Sequence, residues 1–204
     1  MDVVRDSVVE VGIVAENGAA FATVVKPPSI PSEPECSNSV HGIPAAELQT
    51  GPDFATAFVR IVSFLEHLQT STVEPDSDSD AEPQEVKNYS DPPPRIVLVA
   101  HNGLRFDFAM LVSELFRSGV DWLPLQRWLY VDTLDVFRAG AAPCLKLQCL
   151  YKDLTAEGSL RAHRALDDAI ALRDVARTQA ERRGVGLRQL LAPFAVECDV
   201  CMKR

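Results

Sequence analysis

The fold is decided by the stretch RIVLVA at residues 95–100 and by the stretch HNGLRFD that follows it at residues 101–107. A continuous apolar run of this length predicts a strand that is covered on both faces, as in a parallel sheet. The spacing at residues 107–118 predicts an amphipathic helix. Asp107 would therefore begin a helix just beyond the end of a buried strand, where α/β proteins usually build their sites.

The chain on either side of this unit alternates between strand and helix patterns. Residues 8–14 and 20–26 are rich in β-branched side chains, and the Asn17-Gly18 turn between them predicts a β-hairpin. Strands mixed with helices in this order predict an α/β layer fold with helices on both faces of the sheet. The remaining predicted elements are helices at residues 52–68, 144–153 and 165–182 and a strand at residues 129–132.

Two segments are predicted to lie outside the packed domain, which would extend over residues 1–195. Residues 70–94 are polar, acidic and rich in proline, and they have no hydrophobic face. Such a composition predicts a disordered insertion. Residues 196–204 are predicted to form a C-terminal tail.

The composition limits the classes of protein that fit. The chain has 204 residues, 47% of them hydrophobic, which suffices for one domain with a full core. Its formal net charge is −9, whereas a protein that coats phosphates without specificity is normally basic. An enzyme that grips nucleic acid through metal ions remains compatible with this charge.

The five cysteines indicate a reducing compartment, nucleus or cytoplasm, because their number is odd and their spacing irregular. Cys198 and Cys201 form a lone CxxC that is expected to hold plain thiols, since a structural zinc needs four ligands. No apolar run is long enough to span a bilayer, so no membrane association is expected. No signal-peptide pattern opens the chain, and organelle targeting by residues upstream of Met1 is left open.

A second segment whose side chains could take part in catalysis or metal binding is AHRALDDA at residues 162–169. His163 and Asp168 lie five residues apart across a predicted helix start, so an imidazole and a carboxylate can converge there. Taken alone, an aspartate at a helix start is more often a cap, and a histidine before a helix is more often a surface residue. Asp167 neighbours Asp168, and only the helix register separates the two.

Together and in this order, the motifs resemble the DEDDh (DnaQ-like) family of 3′→5′ exonucleases. HNGLRFDFAML at residues 101–111 is similar to the second exonuclease motif, and AHRALDDA is similar to the third. Residues 145–154 resemble the segment before the third motif, and residues 40–43 resemble a His-Gly-Ile segment near the 3′ end of the substrate. The likeness is closest to the three-prime repair exonucleases of animals. It runs from about residue 8 to about residue 195, interrupted by the insertion.

The resemblance implies a ribonuclease-H-like mixed sheet and hydrolysis with two Mg²⁺ or Mn²⁺ ions. Asp107 and Asp168 would be metal ligands, and His163 would be the general base. Asp132 is interpreted as structural. The implied partner is nucleic acid with a free 3′ end, with single-stranded DNA favoured over RNA and a homodimer left open. The implied substrate contacts are His41, Gly42, Ile43 and Asn102.

The first motif of the family, Asp-x-Glu on the central strand, is not found in this sequence. Only nine residues precede Glu10, and Asp2-Val3-Val4 has no Glu in the third position. The missing strand would lie between the hairpin and the strand at residues 97–100. We therefore expect little or no nuclease activity from the chain as written, and we favour an incomplete chain over an evolved loss.

Two other interpretations stay open at this point. One is a catalytically inactive module on the same fold that binds nucleic acid or protein. The other is an unrelated α/β protein with chance motif matches, which predicts that His163, Asp107 and Asp168 lie far apart.

Overall fold

The structure is a computed structural model that describes residues 7–30, 41–71, 95–155 and 164–199. In these ranges the strands are β1 (Glu10–Val14), β2 (Ala20–Val24), β3 (Val97–Ala100), β4 (Leu129–Asp132) and β5 (Val196–Glu197). The helices are α1 (Ala45–Thr50), α2 (Phe54–Ser71), α3 (Asp107–Ser118), α4 (Leu123–Gln126), α5 (Thr133–Ala139), α6 (Leu147–Thr155), α7 (Ala165–Arg182) and α8 (Leu187–Leu191).

The described strands form two sheets that are not hydrogen-bonded to each other. β1 and β2 pair antiparallel, and Gly18 in their connection has a φ of +93°, which confirms the predicted hairpin. β3 and β4 pair parallel, whereas β4 and β5 pair antiparallel. The second sheet is therefore mixed, as the family resemblance implies.

The two sheets lie in one layer, because their side chains alternate between the same two sets of helices. Tyr130 of β4 and Ile13 of β1 face one cluster, which includes apolar side chains of α2 and α3. Val131 of β4 faces the opposite side, where Ala180 of α7 and side chains of α8 pack. α7 also packs against β1. Helices on both faces of an α/β layer are thus confirmed.

One edge of β1 has no strand beside it within the described residues. The amide of Val25 donates to the carbonyl of Val9 at 2.9 Å, so this residue pair is a hydrogen-bonded pair. Bonded and non-bonded pairs alternate in an antiparallel ladder. The backbone N–H and C=O groups of Glu10, Gly12 and Val14 consequently point away from β2.

β3 has a corresponding open edge. The amide of Leu129 donates to the carbonyl of Ile96 at 2.9 Å, and β3 pairs only with β4 in the described part of the chain. This register turns the backbone groups of Val97 and Val99 away from β4. The sheet is thus interrupted between β1 and β3, where the family resemblance places the Asp-x-Glu strand.

The domain boundaries differ at two points from those predicted. α2 continues to Ser71, so its last turn includes two residues that were assigned to the acidic insertion. Val196, assigned to the tail, instead pairs with Tyr130 of β4, and Cys198 beyond it is buried. The domain therefore extends past residue 195, because β4 offers an edge with which the chain can pair. Residues 72–94 and 200–204 lie outside the described residues.

The cysteines also differ from the expectation of thiols throughout. Cys144 and Cys149, at the start of α6, are joined in a disulfide. Cys198 is a buried free thiol, and burial raises its pKa. Cys36 and Cys201 lie outside the described residues. The members of the bonded pair are five positions apart, a spacing that by itself does not signal a disulfide in the sequence.

Gly12 permits the closest contact between β1 and α7. A Cβ atom at this position would overlap the backbone of Ala165 and Leu166 at the start of α7. Backbone atoms cannot move aside as a flexible side chain can. The absence of a side chain at Gly12 therefore sets the distance between the strand and the helix start.

We predict that Gly12→Ala lowers the free energy of unfolding by about 1–3 kcal/mol, the usual cost of overpacking. Urea unfolding followed by circular dichroism measures this change. Ala20→Val, at an exposed position of the same hairpin, is the control and should change stability by less than about 0.5 kcal/mol. Equal stability of Gly12→Ala and the wild type would contradict the close contact.

Candidate active site

Asp132 holds together the loop that leads to Asp107. Its carboxylate accepts hydrogen bonds from the backbone amides of Asn102 at 2.8 Å, Leu104 at 3.2 Å and Leu134 at 3.0 Å. The residue is 6% exposed, so these bonds replace its water. A buried carboxylate that is satisfied by amides is costly to disturb. This arrangement agrees with the structural role interpreted from the sequence.

His101 fixes the same loop from the other side. Its Nε2 lies 2.7 Å from the carbonyl oxygen of Leu145, and its Nδ1 lies 2.9 Å from Oγ1 of Thr133. A carbonyl oxygen only accepts, so Nε2 carries a proton. His101 thus joins the end of β3 to α5 and to the segment before α6, and it acts as a structural clamp.

Asn102 has two unusual features. Its φ of +62° lies in the left-handed region, which Asn tolerates better than most residues. Its side-chain Oδ1 is buried and has no hydrogen-bond partner in the described part of the chain. Buried polar atoms normally have partners. An oxygen in this state fits a group that donates a hydrogen bond or carries positive charge.

Asp107 is exposed as a residue, although its carboxyl group is desolvated by the protein around it. Burial raises the pKa of its carboxyl group, and its own backbone amide opposes this with a hydrogen bond. The charges of Asp132 and Asp168 raise that pKa further, while His101 lowers it. Yet the residue as a whole is exposed. The carboxyl group is thus surrounded by protein atoms, while other atoms of the residue remain accessible to solvent.

Asp168 and its neighbour Asp167, both in the first turn of α7, have different surroundings. The charge of Asp168 acts on Asp107, whereas the charge of Asp167 acts on Arg164. Successive helical residues point about 100° apart, so the two carboxylates serve different neighbours. Asp107 and Asp168, which are distant in sequence, are therefore brought into one electrostatic neighbourhood.

The other predicted site residues are placed as follows. His163 lies outside the described residues. Ile43 is fully buried beside Leu48, whereas Gly42 is exposed and His41 is half-buried. Nδ1 of His41 accepts a hydrogen bond from the amide of Ile43 at 3.0 Å, so this short segment is internally braced. Burial lowers the pKa of His41, and the charge of Glu10 raises it.

One contact at the site gave no signal in the sequence. The first amide of α7, at Ala165, donates to Oε2 of Glu10 in β1 at 2.9 Å, although the two residues are 155 positions apart. The N-cap residue Arg164 makes no side-chain cap of its own. Local capping patterns could not reveal this bond, because its acceptor comes from another element.

The donors at this site suit a hard divalent cation. Carboxylate and amide oxygens are the ligands that Mg²⁺ prefers, and Asp107, Asp168 and the unpartnered Oδ1 of Asn102 are of this type. Among the described residues, no group of three or more His, Cys, Asp or Glu side chains is arranged to hold a metal ion. The residues present therefore fit part of a metal site.

The sequence is similar to that of a known exonuclease. No family model matches the chain. Over 122 residues, 55% of this chain, it is 32% identical to Exonuclease DPD1, chloroplastic/mitochondrial, of Arabidopsis thaliana. The chain spans 36% of the length of that relative. None of the helices in the described ranges is both long and apolar enough to cross a membrane.

Solved structures with a similar fold are 3′-exonucleases. The nuclease domain of 3′hExo, a DEDDh family member bound to rAMP, matches with a TM-score of 0.58 and 14% identity, over 81% of this chain and 73% of that chain. A full-length 3′-exonuclease matches with a TM-score of 0.60 and 13% identity, over 92% and 78%. A 3′-exonuclease that recognises the histone mRNA stem-loop matches with a TM-score of 0.54 and 11% identity, over 81% and 50%.

The fold is therefore that of ribonuclease-H-like nuclease domains. One of these structural neighbours is a DEDDh family member, and the sequence relative is an exonuclease, so both agree with the family that the motifs resemble.

The raised pKa of Asp107 predicts that this residue destabilises the fold at neutral pH. Below the ordinary value of 3.8, the carboxyl group is protonated in both folded and unfolded chains. Above it, the unfolded chain releases its proton first, so stability falls as the pH rises towards the folded pKa. In buffer without divalent cations, Asp107→Asn should therefore gain stability relative to the wild type between pH 3 and pH 7.

Urea unfolding at both pH values measures this gain. Asp153→Asn, at an exposed position of α6, controls for the loss of one negative charge. A stability difference between Asp107→Asn and the wild type that is the same at pH 3 and pH 7 would refute the assignment.

Proposed function

We propose that this chain carries most of a metal-dependent 3′→5′ exonuclease domain that hydrolyses phosphodiester bonds at a free 3′ end. The observation that carries the proposal is the environment of Asp107. Its carboxyl group lies beyond the end of β3, and the charges of Asp132 and Asp168 oppose its ionisation. A carboxylate whose pKa is raised by burial and by neighbouring carboxylates, at the end of a strand, is typical of functional sites.

Each residue of the site has a role in this proposal. Asp107 and Asp168 would hold a divalent cation, and Asp132 and His101 hold the loop that leads to Asp107. His163 accepts the proton of the attacking water, a task for a side chain that titrates near neutral pH. Bound Mg²⁺ or Mn²⁺ would stabilise the charge that develops on the scissile phosphate.

The substrate is proposed to be nucleic acid with an accessible 3′ end. Single-stranded DNA is favoured by the likeness to the three-prime repair exonucleases. One fold relative binds rAMP and another recognises an mRNA stem-loop, so RNA belongs in every assay. Nothing in the described site reads a base, which is compatible with digestion that depends on the end and not on the sequence.

We predict that the 204-residue chain alone digests neither single-stranded DNA nor RNA at a measurable rate with Mg²⁺ or Mn²⁺. Two of the four carboxylates that hold the ions in the family are not in its sequence. End-labelled oligonucleotides resolved on denaturing gels measure the activity. Metal-dependent shortening that copurifies with the folded chain would show that the remaining carboxylates suffice.

A chain that includes an Asp-x-Glu strand upstream of β1 should gain exonuclease activity. In that protein, His163→Ala should slow hydrolysis by about 10²–10⁴-fold, the usual contribution of a general base. Asp168→Asn should weaken metal binding and abolish digestion. Asp167→Asn is its matched control, since the Asp167 charge acts on Arg164 and not on Asp107.

Undiminished activity in both His163→Ala and Asp168→Asn would remove the site assignment. Reading the coding DNA upstream of Met1 for an in-frame Asp-x-Glu tells whether the native product contains the strand.

The second candidate function is an inactive module that binds nucleic acid or protein on the same fold. It is favoured by the lack of any cluster of three metal-binding side chains in the described ranges. The two functions differ in the strand-bearing chain. Binding of a labelled oligonucleotide without shortening, in the presence of Mn²⁺, would favour the inactive module.

A further inference from the structure

Glu10 and Gly12 lie on the face of β1 that meets the start of α7, because alternate residues of a strand point to the same side. At Gly12 the two backbones are in contact. At Glu10 a side chain bridges the same junction. Its Oε2 accepts from the amide of Ala165 at 2.9 Å, and its Oε1 accepts from Nε of Arg164 at 2.8 Å. Both carboxylate oxygens are thus engaged at the helix start.

Burial distinguishes this contact from an ordinary surface ion pair. The Glu10 side chain is only 10% exposed. On the same hairpin, Glu16 faces Arg188 at 3.7 Å, with both side chains mostly exposed. Exposed pairs of that kind contribute little to stability, whereas a carboxylate at a helix N-terminus complements the unpaired amides and the helix dipole.

The same network extends to the segment that carries His41. Arg164 also contacts Oε1 of Glu47 in α1 at 3.3 Å. α1 begins two residues after Ile43, and the charge of Glu10 acts on His41. Glu10 and Arg164 therefore connect the first turn of α7, which carries Asp168, with the His41–Ile43 segment.

We propose that Glu10 is a positioning residue for the active site, an inference that rests on the proposed exonuclease function. By binding the Ala165 amide and Arg164 together, it fixes where α7 begins. It thereby fixes the orientation of Asp168 towards Asp107 and its distance from the His41–Ile43 segment. Glu10 itself touches neither substrate nor metal.

Glu10→Gln tests this role in the 204-residue chain without any activity assay. Glutamine is neutral and has one acceptor oxygen in place of two, so the bond to the Ala165 amide is weakened if that oxygen keeps it and lost if Arg164 takes it. Amide hydrogen exchange by NMR should accelerate about ten-fold in the first turn of α7, as expected for the loss of a hydrogen bond to a charged group, and remain unchanged from Ala171 to Ala180. The pKa of His41, read from its ring protons, should fall because Glu10 no longer raises it.

Two further variants separate positioning from general stability. Glu16→Gln removes an exposed carboxylate from the same hairpin and should change neither readout. Glu10→Asp keeps the charge and both acceptors, and it should restore most of the His41 pKa. If Glu10→Gln does not fold, Arg164→Gln tests the link instead: Ala165 keeps its protection, while exchange of the Leu48 amide in α1 accelerates.

Unchanged exchange in the first turn of α7, or uniform acceleration throughout the chain, would overturn the inference. In the strand-bearing chain, Glu10→Gln should lower kcat/KM about ten-fold, because it displaces Asp168 relative to Asp107 and to the His41–Ile43 segment. If the strand-bearing wild type has no nuclease activity, the proposed function fails. The hydrogen-exchange measurement still decides whether Glu10 fixes the start of α7, because it does not depend on activity.

Discussion

Two strand edges that lack hydrogen-bond partners in the described part of the chain are the constraint on which the rest of this structure depends. One edge presents the backbone of Glu10, Gly12 and Val14, and the other presents that of Val97 and Val99. Backbone groups in a packed layer need partners. β3, which has one of these open edges, is followed directly by the loop that leads to Asp107 at the start of α3. A strand that paired with both edges would therefore also lie beside the proposed metal site.

α7 holds the layer together across this interruption. Its first turn lies against Gly12 of β1, and Ala180 near its other end packs with Val131 of β4. One helix thus spans both sheets, in place of hydrogen bonds between them. The same helix presents Asp168 to Asp107. The relative position of the two aspartates is consequently set by the helix that joins the sheets, and the Glu10 contact at its start acts on both.

Local pattern sufficed for β1 to β4 and for the longer helices, but it missed α1, α4, α5, α8 and β5, which are short, and it failed for the contacts between elements. The Asn17-Gly18 turn and the apolar run before His101 predicted β1, β2 and β3, because turn chemistry and continuous apolarity are properties of neighbouring residues. The capping of α7 by Glu10 and the three amides on Asp132 join residues that are far apart in sequence. Which of the two adjacent aspartates of α7 faces Asp107 became clear only from the three-dimensional structure, in which Asp168 acts on Asp107 and Asp167 acts on Arg164.

The carboxylates around Asp107 oppose its ionisation by charge repulsion. Asp132 accepts hydrogen bonds from three backbone amides and so shapes the loop, and its charge opposes the ionisation of Asp107, as does the charge of Asp168. His101 offsets part of this repulsion. A fold selected for stability alone would replace Asp107 with a neutral side chain. Like charges that are kept together beside the unpartnered Oδ1 of Asn102 make sense if a divalent cation binds among them, since its attraction for each carboxylate outweighs their mutual repulsion.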